Sequence, residues 1–247
     1  MDIGISYWFG YPSPPKERIS LIKNSGFKNV ALYWTDEYKS VTGSKKDVYY
    51  ELNKAGIQIS SFHASFNFSH LLWDVSIIGE LFRRQIAETI YDAYKYNVPI
   101  VVIHTNGSKY HKENISMLLD PLFNSAEKYD IKLCVENLQI EDNLNSIITE
   151  YNCSLCYDVG HNNIRNSSFK LINNENIKYI HIHDNNGQAD QHLLPFQGSI
   201  NWNKTIKEIR TIPKAKKILE VHNNIGTYDE AEIYLQKAMD CAKLLDV

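Results

Sequence analysis

Residues 177–202 read IKYIHIHDNNGQADQHLLPFQGSINW, a segment that crowds ionisable side chains onto what begins as a strand-like alternation. With a period of two, Ile177, Tyr179, His181 and His183 share one face, and Lys178, Ile180 and Ile182 the other. Asp184, Asp190 and His192 follow on a glycine-containing loop. Imidazoles and carboxylates gathered this closely are costly to hold together without a cation, and a divalent metal ion is the usual one. Taken alone, the stretch also reads as an ordinary polar surface loop.

The same residue types recur wherever an apolar run ends. They are His63 in SSFHAS, His104 in VVIHTN, Glu136 in LCVENL, Asp158 in LCYDVGH, His181 in YIHIHD and Glu220 in ILEVH. One histidine in such a place is commonly a hydrogen-bonded core residue and one carboxylate a helix cap, but six in succession point to a shared site. His161, Asp190 and His192 extend the set to nine. An imidazole-rich group with carboxylates suits zinc or manganese best, with cobalt and magnesium also admissible. Cys153 and Cys156 have zinc-knuckle spacing, but no second pair accompanies them and both fall in one predicted strand.

Positioning such a set requires elements that end at one place. Short apolar runs at 3–8, 27–33, 57–63, 98–104, 131–136, 153–158, 177–183 and 217–221 read as strands. Between them lie amphipathic segments predicted as helices at 14–24, 45–55, 78–96, 112–128, 143–150, 168–174, 202–210 and 228–245. In the third of these, Leu81, Ile86, Ile90 and Ala93 are the expected buried face. Eight strand-helix units in alternation imply parallel strands joined by right-handed crossovers, and eight strands close into a (β/α)8 TIM barrel. A doubly wound open sheet is the alternative, without a Gly-rich phosphate loop after its first strand.

The 247 residues match the ~250 typical of one such barrel, so a single domain over 1–247 is expected. With 43% hydrophobic and 22% charged residues, the chain can bury a large core. A net charge of -3 supplies no field towards nucleic acid or an anionic membrane. The N-terminus lacks the basic region of a signal peptide, and no apolar run reaches ~18 residues, so a cytoplasmic protein without a membrane partner is expected. Four cysteines, three within apolar runs, read as reduced thiols.

These residues resemble the xylose isomerase-like barrels, a superfamily of sugar phosphate isomerases and epimerases that also holds the endonuclease IV type of DNA repair enzyme. The motifs are FHASFNFSHLLWD, VVIHTNG, VENL, CYDVGHNN, HIHDNNG, DQHLLPFQGSINW and LEVH, and they span essentially the whole chain. The resemblance implies a four-ligand metal site of Glu136, Asp158, His181 and Glu220, with His161 and His192 nearby. In the endonuclease branch it implies a three-metal cluster that adds His63, His104, His161, Asp190 and His192. Phe196, Gln197 and Asn201 stand where relatives usually carry Gly, an acid and Asp.

Two enzyme classes follow. The first is an isomerase or epimerase of a sugar or sugar phosphate, in which a divalent ion favours an enediolate and Glu136 and Glu220 exchange the proton, with His161 as a further catalytic candidate. Tyr7, Trp8, Tyr33, Trp34 and Trp73 sit at predicted strand ends or the following loop; Tyr7, Trp34 and Trp73, with His63, are the candidate sugar contacts. Arg83, Arg84, Lys109 and Arg165 are candidates for a phosphate. The second class is an endonuclease IV-like phosphoesterase; the acidic balance disfavours a nucleic-acid partner. A non-catalytic metal or sugar binder is a third reading, and a homo-oligomer is compatible with all three.

Overall fold

The computed structural model describes residues 2–105, 115–138, 144–164, 174–223 and 230–245. Eight parallel strands close in sequence order, β1 (Ile3–Ser6), β2 (Asn29–Tyr33), β3 (Gln58–His63), β4 (Ile100–Ile103), β5 (Lys132–Glu136), β6 (Ser154–Asp158), β7 (Ile177–Ile182) and β8 (Lys216–Leu219), with β8 pairing back to β1. The helices α1 (Pro15–Ser25), α2 (Lys39–Thr42), α3 (Lys45–Ala55), α4 (Ile77–Lys95), α5 (Ile115–Lys128), α6 (Leu144–Tyr151), α7 (Val159–Ile164), α8 (Trp202–Arg210) and α9 (Ala231–Leu245) lie between and after them. The expected (β/α)8 architecture is therefore the one found, with strands one to three residues shorter than their apolar runs.

Strand parity explains how the barrel presents its ends. Ile100, Val102, Cys134, Cys156, Tyr179 and Ile218 form a separate apolar cluster. Two residues further along the same strands come His104, Glu136, Asp158, His181 and Glu220, so each lies on the same face, one layer higher. The intervening residues Val101, Ile103, Val135, Tyr157, Ile180 and Leu219 belong to the larger core between strands and helices. Tyr179 is fully buried, and its hydroxyl is satisfied by Ser60 at 2.9 Å and Ser61 at 2.6 Å.

Several expectations change. Leu81 is 55% exposed, because α4 buries the stripe Gly79, Phe82, Ile86, Ile90 and Ala93 instead. Gly79 sets that rotation, since a Cβ there would stand 1.9 Å from the Asp74 carbonyl oxygen. After β6 the helix starts at once, at Val159; the helix expected at 168–174 lies outside the described residues up to 173, and Asn174–Asn176 form a 3-10 turn. Cys153 joins the outer core and Cys156 the barrel interior, as residues three apart on a strand must, so they cannot chelate together. The four cysteines are free thiols. Among the described residues no helix is long and apolar enough to cross a membrane.

Candidate active site

Glu136 is the centre of the barrel mouth. It is 1% exposed; its Oε2 lies 3.2 Å from Nε2 of both His63 and His104, and its Oε1 lies 3.2 Å from His181 Nδ1 and 3.4 Å from His161 Nδ1. His181 Nδ1 also lies 3.0 Å from Glu220 Oε2 and 3.7 Å from Asp158 Oδ2. Glu136, Asp158, His181 and Glu220 each offer an atom within 4.8 Å of the others. One imidazole facing three carboxylates, three of the four groups buried, is a set that a divalent cation fits and water does not replace.

Local sequence builds the rest. Asp158 ends β6 and its Oδ1 accepts the His161 backbone N–H at 2.6 Å, so the carboxylate caps α7 while facing the site. That cap turns His161 back over the mouth, where Nδ1 is 3.0 Å from the Asn137 carbonyl and Nε2 is 3.2 Å from Asp190 Oδ2. Asn137 and Asp158 exchange two further hydrogen bonds, Asp158 N–H to Asn137 Oδ1 at 2.7 Å and Asn137 Nδ2 to Asp158 O at 2.9 Å, locking β5 to β6.

The loop 185–200 brings in the last two residues. Asp184 pins its ends: the carboxylate accepts from Asn185 N, Ile200 N and Trp202 Nε1 at 2.8, 3.2 and 2.7 Å, and its backbone pairs with Leu193. Asp190 Oδ2 then lies 3.2 Å from both His161 Nε2 and His192 Nε2. Asn201 caps α8 by accepting from Lys204 N, a role an Asp would fill equally.

Burial alone would neutralise these groups, but their mutual attraction wins. Burial raises the Glu136 carboxyl, yet His181 and His104 hold it well below the usual carboxylate range. Asp190 and Glu220 are likewise depressed although partial desolvation opposes it, Asp190 by hydrogen bonds with His161 and His192 and Glu220 by His181. His192, against its burial, is raised to about 9 by Asp190 and Glu220. His222, buried and beside His192, is lowered to about 4. His104 is lowered by burial.

A family model described as the xylose isomerase-like TIM barrel matches residues 19–243. The chain belongs to that family. It is 29% identical over 145 residues to the uncharacterised protein MJ1614 of Methanocaldococcus jannaschii, a match covering 53% of this chain and 57% of that protein. The chain thus spans little more than half of that relative's length. Among solved structures, a D-psicose 3-epimerase from Clostridium cellulolyticum H10, determined with D-tagatose, superposes with a TM-score of 0.75 at 14% identity over 99% of both chains. The IolI protein with a bound zinc atom superposes with a TM-score of 0.74 at 18% identity, covering 100% of this chain and 97% of that one.

Within this xylose isomerase-like barrel all nine candidate ligands, His63, His104, Glu136, Asp158, His161, His181, Asp190, His192 and Glu220, converge in overlapping groups. The candidate sugar contacts divide. Tyr7 and His63 line a cavity of about 670 Å³ over the site. Trp34 does not: it is 2% exposed, stacked on Phe62 at 3.9 Å, with its indole N–H given to Asp92 at 2.8 Å. Trp73 donates to the Thr105 carbonyl and also lies off the cavity wall. Among the described residues both make packing contacts, and neither lines this cavity. Of the candidate phosphate ligands, Arg83 is spent on the Leu72 and Asp74 carbonyls and Arg84 pairs with Glu80; Lys109 and Arg165, like His111, lie outside the described residues.

His183, two residues beyond His181 and readable from the sequence as a group supporting the ligands, lies against Asp158. Its fully buried Nε2 lies 3.1 and 3.2 Å from the two Asp158 oxygens, and its Nδ1 is buried without a hydrogen-bond partner. Through Nε2, His183 holds the Asp158 carboxylate in place. In the sequence His183 shares the face of His181; the space that Gly160 leaves for its ring is visible only once α7 is packed.

Proposed function

We propose that the chain is a divalent-metal-dependent isomerase or epimerase that moves a proton on the carbon beside the carbonyl of a ketose-type sugar. The observation that carries this reading is the placement of Glu136 and Glu220, on β5 and just beyond β8, 3.2 and 3.0 Å from the same nitrogen, His181 Nδ1. Held by Glu136, Asp158, His181 and Glu220, a zinc or manganese ion would polarise the substrate carbonyl as a Lewis acid. Both glutamates are held ionised by neighbouring imidazoles, so each can accept a proton. One removes it from carbon and the other returns it from the opposite face. His161, with Nδ1 on the Asn137 carbonyl and Nε2 on Asp190, would hold Asp190 against the site. The family membership and the epimerase-like fold support the same class.

The test is deuterium incorporation from heavy water into a panel of ketoses and their phosphates by the zinc- or manganese-loaded protein. Glu136→Gln and Glu220→Gln should each lower exchange by ~10² to 10⁴ while keeping the side-chain size.

A second reading is a multi-metal phosphoesterase of the endonuclease IV kind, favoured by the additional groups His63–His104–Glu136 and His183–Asp190–His192 beside the four-ligand set. Elemental analysis separates the two: one ion per chain supports the proton-transfer enzyme, and three ions with metal-dependent cleavage of DNA bearing an abasic site support the esterase. Against the esterase, Lys45 is the only Lys or Arg lining the cavity among the described residues.

A further inference from the structure

A sulfur donor lies directly beneath the ligand set. Cys156 stands two residues before Asp158 on β6 and, like it, faces the barrel interior, where it packs with Cys134, Tyr179 and Ile218. Its neighbours are set by an irregularity in the β6–β7 pairing between Leu155 and Cys156. Leu155 pairs with Ile177, so an unbroken register would put Cys156 beside Lys178 and Asp158 beside Ile180 of the outer core. The shift pairs Cys156 with Tyr179 and Asp158 with His181 instead, and on its other side Cys156 pairs with Glu136. As a result Glu136, Cys156 and His181, all buried, each offer an atom within 4.8 Å of the others.

This trio shares Glu136 and His181 with the four-ligand set, but sulfur takes the place of Asp158 and Glu220. Thiolate, imidazole and carboxylate together suit zinc and cadmium, whereas manganese and magnesium prefer oxygen donors. Donors ~2.0–2.3 Å from one ion stand ~3.3–3.8 Å apart in a tetrahedron, so a trio already within 4.8 Å closes by small side-chain rotations. A neutral imidazole has one lone pair to give, so His181 serves an ion in one seat or the other and not in both. Depth separates the seats as well. Glu136 and His181 line the cavity, while Cys156 is 1% exposed and lies below its floor. An ion drawn down to the sulfur therefore recedes from a substrate in the cavity.

We propose that Glu136, Cys156 and His181 form a second, deeper metal seat that selects thiophilic ions, cadmium above all, and that an ion bound there vacates the four-ligand seat by taking His181 from it. Binding forms a sulfur–metal bond and breaks the S–H bond; the proton passes to water and no oxidation state changes. The seat is a property of these three side chains and stands whichever reaction the chain catalyses. Manganese and magnesium stay with the carboxylates above, and thiophilic ions move down and displace them.

The test titrates the full 247-residue chain, loaded with manganese or freed of metal, with cadmium chloride. Near-ultraviolet sulfur-to-cadmium charge-transfer absorption reports the thiolate bond, and the paramagnetic resonance of free manganese reports its release. The unsubstituted protein should gain the absorption up to one cadmium per chain and release manganese in step with it. Cys156→Ser and Cys156→Val should each abolish the absorption and weaken cadmium binding by at least the ~10 to 100-fold that losing even a supporting group costs. Cys134→Val, in the same cluster but outside the trio, should keep the absorption. Urea unfolding identifies a variant that does not fold, and valine, suited to apolar neighbours, serves where serine fails. Absence of the absorption in the unsubstituted protein, with or without manganese release, overturns the inference, as does absorption that survives in a folded Cys156 variant. Absorption that grows while manganese is retained also overturns it, because the seats would then not share His181. Deuterium exchange by the manganese-loaded protein is a separate readout, so the proton-transfer reading stands or falls apart from this seat.

Discussion

Replacing Gly160 by alanine should destabilise the protein although it improves the intrinsic helix propensity of α7. Propensity alone favours alanine by about 1 kcal/mol. The Cβ, however, would stand 1.9 Å from His183 Cε1, 2.3 Å from Nδ1 and 2.4 Å from Nε2. Reaching an ordinary contact of 3.4 Å requires the ring to move 1.5 Å from its present 1.9 Å. The ring is fully buried and stacked at 4.1 Å on His192, which is stacked at 4.6 Å on His222, so the shift must pass along the stack. It also breaks the 3.1 and 3.2 Å contacts with Asp158. A lost hydrogen bond to a charged group costs about 1.5–3 kcal/mol and overpacking about 1–3 kcal/mol, which leaves a net loss of about 1.5–5 kcal/mol after the propensity gain. Urea unfolding of the metal-free protein measures this directly. With Asp158 no longer oriented, zinc affinity by calorimetry should fall by ~10 to 100-fold. In a His183→Ala background the clash is gone, and Gly160→Ala should become neutral or stabilising. An equal cost in both backgrounds would refute the assignment of Gly160 to His183.

Asp184→Ala leaves three buried N–H donors without their acceptor and should cost about 3–5 kcal/mol in urea unfolding; a metal ion held by Asp190 and His192 should be lost from elemental analysis before one held by Glu136, Asp158, His181 and Glu220. Because His192 in the folded, metal-free protein titrates at about 9 against ~6.5 when unfolded, its ion pairs stabilise fully below pH ~6.5 and are lost as pH rises through about 9. The urea midpoint of the metal-free protein should therefore decline across that interval, while affinity for a zinc ion held by Asp190 and His192, which requires the His192 proton to leave, should increase over it. Trp34→Ala should cost about 3–5 kcal/mol through the cavity it opens, with exchange kinetics per folded molecule unchanged; a selective rise in KM would restore Trp34 as a sugar contact.

The sequence by itself determined the barrel and the ends of its strands, because both are written in local pattern. Alternating apolar runs and amphipathic segments specify strand-helix repeats, and a residue two positions beyond a barrel-facing Val102, Cys134, Cys156, Tyr179 or Ile218 must face the same way. That is why His104, Glu136, Asp158, His181 and Glu220 could be named together without coordinates. Which aromatic residues meet a substrate was beyond local pattern. Tyr33 and Trp34 are adjacent, so only one can face the mouth, and the irregularity in pairing between Val30 and Ala31 sets which. Tyr33 lines the cavity and Trp34 packs on Phe62. The role of His183 depended on α7 passing close enough that only glycine fits beside the ring, a contact between residues 23 positions apart. Strand parity is a property of the chain; who occupies each donor is a property of the packed fold.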